Sequence, residues 1–170
     1  MTESKRTGRI ATHGGHATLS FERRLPYPAE AVWAAITDPA QRGQWFGAPT
    51  LEARAGGAIQ MEPQGPGVPD DLKRMTGRIL VWDPPRIFEH EWKQRIIGDT
   101  AVRYELTPDG DATLLRFTHS LLAEKNAKGF IPGTHAYLDR LEAHLARAPI
   151  PDWWQRFNEV APQYAAPSNG

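Results

Sequence analysis

The chain has 170 residues and carries 20 lysines and arginines against 20 aspartates and glutamates, so its formal net charge is zero. That length fits one domain with a substantial core, and the charge balance excludes a nucleic-acid binder built on a broad basic face or an electrostatic membrane anchor. No cysteine is present, which excludes disulfides, thiolate chemistry and cysteine-ligated zinc. No stretch approaches the roughly 18 apolar residues of a membrane span or opens like a signal peptide, so a cytoplasmic protein is expected.

Residues 1–16 are polar and glycine-bearing and read as a mobile tail, followed by a domain over 17–148 and an extension over 149–170. Leu19, Phe21, Arg23 and Leu25 alternate with Thr18, Ser20, Glu22 and Arg24, the period of a half-buried strand. Pro26 ends it, because proline donates no ladder hydrogen bond, and Pro28 suits the first turn of a helix. In that helix Val32, Trp33 and Ile36 form one apolar stripe. Asp38-Pro39 breaks it and leads to Trp45-Phe46.

Two short strands, Thr50 to Arg54 and Ala58 to Glu62, flank Gly56-Gly57 as a hairpin. Pro63 to Leu72 is an irregular, proline- and glycine-rich loop. Met75 to Trp82 reads as a strand. Arg86 to Lys93 follows, with Phe88, His90 and Trp92 on one face. Thr100 to Thr107 and Ala112 to Leu122 flank the turn Pro108-Asp109-Gly110, and in the second Leu115, Phe117, His119 and Leu121 share a face. From Gly133 the period becomes helical, with Tyr137, Leu138, Leu141, His144 and Leu145 on one side until Ala148-Pro149. The order implies an α+β fold, an antiparallel sheet whose apolar face is covered by the one long amphipathic helix.

Several of these segments occur in a familiar order: Thr37-Asp38-Pro39, Trp45-Phe46, Gly56-Gly57, Gly77, Pro84-Pro85-Arg86, Trp92, Glu105 to Pro108, Thr113, Thr118-His119 and Ala136 to Leu141. Over residues 17–148 the chain resembles the START-like (SRPBCC) proteins related to the activator of Hsp90 ATPase. The resemblance implies a helix-grip fold, a curved antiparallel sheet around a long C-terminal helix with an internal hydrophobic cavity. That family includes lipid and polyketide-type ligand binders, cyclases and the chaperone activator's C-terminal domain. Thr134 stands where similar chains often carry tryptophan, which implies a roomier cavity or an altered rim.

On the strand alternation, the expected cavity lining is Phe88, His90, Trp92, Tyr104, Phe117, His119 and Tyr137, roofed by Trp45 and the 63–72 loop. His90 and His119 are candidate general acids or bases, or else hydrogen-bonded core histidines. Trp33 and Trp82 are assigned to packing. His13-Gly-Gly-His16 lacks the ligands and preorganisation of a metal site, Asp70-Asp71 reads as part of a solvated loop rather than a working carboxylate pair, and neither a metal nor a cofactor is expected. In the extension, Asp152 with Gln155 forms a capping-box pattern, and Trp153, Phe157 and Val160 fall on one side with Trp154 beside them. These aromatics are expected to be buried by packing on the same domain, by closing the cavity, or in a homodimer, the preferred reading. Three functions follow, in order: binding of a small apolar or amphipathic ligand, a cavity enzyme of cyclase, dehydratase or hydrolase type, and a chaperone-interaction domain.

Overall fold

The computed structural model describes residues 6–47, 50–61, 69–95 and 97–165. In chain order the elements are strands β1 (Arg9–His13) and β2 (His16–Leu25), helices α1 (Ala29–Thr37) and α2 (Pro39–Trp45), strands β3 (Thr50–Leu51) and β4 (Ala58–Met61), and the short α3 (Asp70–Lys73). Strands β5 (Met75–Asp83), β6 (Ile87–Gln94), β7 (Gly98–Asp109) and β8 (Ala112–Ala123) follow, then α4 (Glu124–Leu145), α5 (Trp153–Val160) and α6 (Pro162–Ala165). The eight strands form one antiparallel sheet in the order β1-β2-β8-β7-β6-β5-β4-β3. The long α4 packs across it, against β2, β8 and β1, and meets α1 and α2 at its flank. This is the α+β helix-grip architecture expected from the alternation and the single long helix.

The alternation in β2 sets the core. Leu19, Phe21, Arg23 and Leu25 are buried while Glu22 and Arg24 are exposed. From α4, Ile131, Leu138 and Leu141 descend onto that face and are fully or almost fully buried. Each such side chain contributes about 1.5–3 kcal/mol through the water it leaves.

Four expectations need correction. Residues 1–16 are not a tail throughout, because Arg9–His13 pairs with β2 in an antiparallel ladder in which His13 faces His16. Gly14 and Gly15, both at positive φ (60° and 83°), make the two-residue turn, the conformation glycine alone adopts without cost. Leu121 does not share the face of Phe117 and His119. The β2–β8 register shifts between Ala17 and Leu19, Leu121 takes a left-handed backbone (φ 68°) and is 56% exposed, and Leu122 is buried in its place. That bulge steers the chain from β8 into α4. The helix itself begins at Glu124 rather than near Gly133, running through Pro132. Packing of its inner face overrides the local breakers, at the loss of one intrahelical hydrogen bond. Lastly, β3 spans Thr50–Leu51 only, and in the loop and roof expected at 63–72 the residues 63–68 lie outside the described ones while Asp70–Lys73 forms the short helix α3.

Candidate functional site

Between the sheet, α2, α4 and α5 lies a cavity of about 200 Å³. A cavity of roughly 150 Å³ takes up benzene, so this one has room for two fused rings or a short branched chain. Its walls are largely aromatic: Trp45 and Phe46 from the end of α2, Trp92 from β6, Tyr104 from β7, Phe117 and His119 from β8, Phe130 and Tyr137 from α4, and Trp153 and Phe157 from α5. Met61 and Leu138 complete the apolar lining, and Gln94 and Thr134 add polar groups.

Hydrogen bonds fix several of these walls. Trp45 Nε1 donates to Ala35 O at 2.8 Å, holding α2 against α1. Trp92 Nε1 donates to Gln94 Oε1 at 2.8 Å. Arg140 of α4 donates from Nε to Trp45 O at 2.8 Å and from Nη1 to Pro151 O, so one side chain fastens both α2 and the start of the extension to α4. Phe46 lies 4.5 Å from Tyr137 and 5.7 Å from Trp92, ring centre to ring centre.

Of the expected lining residues, Trp45, Trp92, Tyr104, Phe117, His119 and Tyr137 surround the cavity, whereas Phe88 and His90 do not. Both are fully buried, but the near end of β6 lies under the first two helices. Phe88 packs on Trp33 and Trp82 (6.3 and 5.7 Å), the two residues assigned to packing, and His90 stacks beside Phe88 and Tyr104. Strand period gives the face of a side chain but not which part of that face a helix covers.

Neither histidine is charged near neutral pH. Burial, reinforced by the Arg42 charge, pushes His90 down to about 3, although its contact with Glu91 O at 2.8 Å opposes this. Burial pushes His119 down to about 3 as well. Thr100 Oγ1 donates its proton to Trp92 O at 2.7 Å, so His119 Nε2 must be the donor in its 2.7 Å contact with Thr100, leaving Nδ1 as the acceptor. Burial likewise raises the Tyr104 and Tyr137 phenols, against the pull of Arg42, and they remain neutral donors.

Behind the wall sits a residue the sequence reading missed. Arg42 of α2 is 0% exposed. Its guanidinium carbon lies 4.4 Å from the centre of Phe46 and 5.7, 5.8 and 5.9 Å from Trp45, Phe88 and Tyr104. Nη1 donates to Ile36 O at 2.9 Å, while Nε and Nη2 have no hydrogen-bond partner among the described residues. Arg42, Trp45 and Phe46 stand at i, i+3 and i+4, a helical spacing that would have placed the arginine on the apolar face.

The pattern of the family described as activator of Hsp90 ATPase homolog 1-like protein matches residues 26–146. The chain belongs to that family. Among solved structures it is similar to CalU16 from Micromonospora echinospora, at 25% identity over 94% of this chain and 92% of that one, with a TM-score of 0.70. It shares its fold with a conserved protein of unknown function, EF2215 from Enterococcus faecalis (18% identity, 92% and 89% covered, TM-score 0.71). The same holds for the protein encoded by BPP1335 from Bordetella parapertussis (24%, 93% and 88%, 0.71). No curated protein matches the sequence. No helix among the described residues is long and apolar enough to cross a membrane, and none of their side chains cluster as a metal site would.

In this member of the family the extension beyond the matched segment reaches the site. Asp152 caps α5 through Gln155 N at 2.9 Å, as the capping pattern predicts. Trp153 donates from Nε1 to Gly133 O at 3.1 Å and stacks near Tyr137 at 5.4 Å. A Cβ at Gly133 would meet Trp153 at 2.9 Å, so glycine is what allows α5 this close to α4. Trp153 and Phe157 are thus half-buried on their own domain, while Trp154 is 42% exposed on the single chain.

A cluster of ion pairs and hydrogen bonds holds the segment before β1 and the C-terminal extension to α4. Asp139 accepts from Arg6 at 2.6 Å, Arg23 at 2.9 Å and Arg156 at 2.7 Å, and His135 Nε2 lies 3.4 Å away. Arg6 and Arg23 also pair with Glu142. Tyr164 Oη accepts from Gly8 N at 2.8 Å and lies 2.7 Å from His135 Nδ1. Burial alone would raise Asp139, but His135, Arg23 and Arg156 outweigh it and hold the carboxyl well below the usual range.

Proposed function

We propose that this protein binds a small hydrophobic or amphipathic ligand in the cavity beneath α4. The observation that carries the reading is the aromatic chamber with a few polar groups, Tyr104, Tyr137, His119, Gln94 and Thr134, set into its wall. Trp45, Trp92 and Phe117 supply apolar contact area, and the extension contributes Trp153 and Phe157 as one side of the chamber.

The enzyme reading loses support with its two bases. A histidine whose conjugate acid forms only near pH 3 is a weak base and is not protonated to act as an acid near neutrality. His90 moreover has no wall on the cavity. The interaction reading draws on the family description alone.

Thr134→Trp tests the proposal by filling the chamber. Native mass spectrometry and calorimetry of the wild-type chain are expected to detect a co-purified small molecule or uptake of 2-naphthamide. The filled variant, with unchanged circular dichroism, is expected to take up neither. Equal uptake by both proteins would sink the cavity as the ligand site.

A further inference from the structure

Arg42 does not belong in the core that surrounds it. A guanidinium stays charged in a protein, and the other buried arginine described above, Arg23, faces two carboxylates. Arg42 faces rings. Among the described residues no carboxylate pairs with it, one of its donors caps α1 at Ile36 O, and Nε and Nη2 make no well-formed hydrogen bond, although the Tyr104 hydroxyl offsets part of the cost of burying the charge. The cation–π contacts of Phe46 and Trp45 compensate part of its lost hydration but satisfy no N–H. Beside it the buried His90 Nε2 also has no partner.

The position of this charge relative to the chamber is specific. Phe46, Trp45 and Tyr104 each touch both, so the guanidinium lies one ring behind the cavity wall. Phe46 is the nearest of the three and caps the C-terminus of α2, with Gly47 at φ 129° after it. Rotation of this one aromatic side chain at a helix end would connect the guanidinium with the cavity.

Building on the cavity reading, we propose that the ligand is a small aromatic or branched apolar monocarboxylic acid whose carboxylate turns toward Arg42. A carboxylate matches the forked donors of a guanidinium and neutralises the one uncompensated cation. A phosphate dianion is disfavoured, since a single arginine with no second cation beside it leaves a net negative charge in an apolar chamber. The apolar body fills the aromatic volume, and Tyr104 adds a neutral hydroxyl from the same wall.

The test uses two probes of one shape, 2-naphthoate and 2-naphthamide, titrated by calorimetry into the full chain at pH 7. Wild-type protein is expected to prefer the carboxylate by about tenfold or more, the range of a charge-assisted hydrogen bond. Arg42→Met should remove that preference while binding the amide within about twofold of wild type, which also reports that the chamber still folds. Arg42→Lys should retain part of it. Equal affinities in the wild type, or a preference that survives in Arg42→Met, would overturn the assignment to Arg42 while leaving the cavity reading intact. No uptake of either probe withdraws both.

Discussion

Asp139 and Arg42 are both charged groups withdrawn from water, and their surroundings differ in kind. Asp139, with a side chain 7% exposed, accepts from three arginines that arrive from the N-terminal segment, β2 and α5. Arg42 is walled by aromatic rings and gives one hydrogen bond to a backbone carbonyl. Removing an ion from water costs several kcal/mol, and good pairing returns most of it. The first region recovers that cost inside the protein and joins distant parts of the chain by doing so. The second leaves it open. A charge satisfied within the fold serves the fold, and one left unsatisfied beside a cavity points to something that arrives from outside.

The largest effect should come from Asp139→Asn. It leaves Arg23, 1% exposed, and Arg6 with Glu142 as their remaining carboxylate, and Arg156 with the more exposed Glu159. Breaking a buried pair from one side typically costs about 3–5 kcal/mol, and Glu142 should hold the loss near the lower end. Urea unfolding measures it, and a loss under about 1 kcal/mol would mean the cluster is not a structural clasp.

Acid should expose a second difference. Folded His90 and His119 stay neutral down to about 3, whereas unfolded histidine titrates near 6.5. Their folded values are depressed, so unfolding takes up protons across that window. Stability should fall by up to about 1.4 kcal/mol per pH unit per histidine as pH drops from about 6.5 toward 3. The contribution of Asp139, also depressed, is present above about 3.9 and is lost only below it. His90→Leu should therefore flatten the slope between pH 6 and 4, and leave the loss below pH 4 in place. An unchanged slope would show that His90 is not held neutral.

Arg42→Met should be nearly silent in stability, within about 1 kcal/mol of wild type, because lost cation–π and capping contacts are offset by removal of a buried charge. A loss comparable with that of Asp139→Asn would erase the contrast between the two regions. The smallest effect concerns Trp154. With Trp153 and Phe157 packed at home, the pairing of two copies expected from sequence rests on this one exposed ring, stacked 5.1 Å from Phe157. Light scattering should find wild-type dimers and Trp154→Glu monomers of unchanged melting temperature, and identical masses would withdraw the dimer.

Strand and helix order were readable because each rests on local spacing. The alternation in β2 even put Arg23 on the buried face, but its partner Asp139 lies 116 positions away, beyond any local pattern. The cavity lining was readable at Trp92, Tyr104, Phe117, His119 and Tyr137 for the same reason. It failed at Phe88 and His90, where coverage by α1 and α2 decides, and the strand-face reading failed at Leu121, where a bulge reverses the face. The Gly14-Gly15 turn that pairs β1 with β2 is a local signal too, a two-residue glycine hairpin turn between short alternating segments.

The distribution of tryptophan has a practical consequence. Of the six in the chain, Trp45, Trp92 and Trp153 line the chamber, while Trp33, Trp82 and Trp154 do not. A bound molecule would change the surroundings of half the indole fluorophores and leave the rest as an internal reference. The protein carries its own optical gauge of occupancy, so libraries of unlabelled compounds are open to screening by their effect on its ultraviolet emission alone.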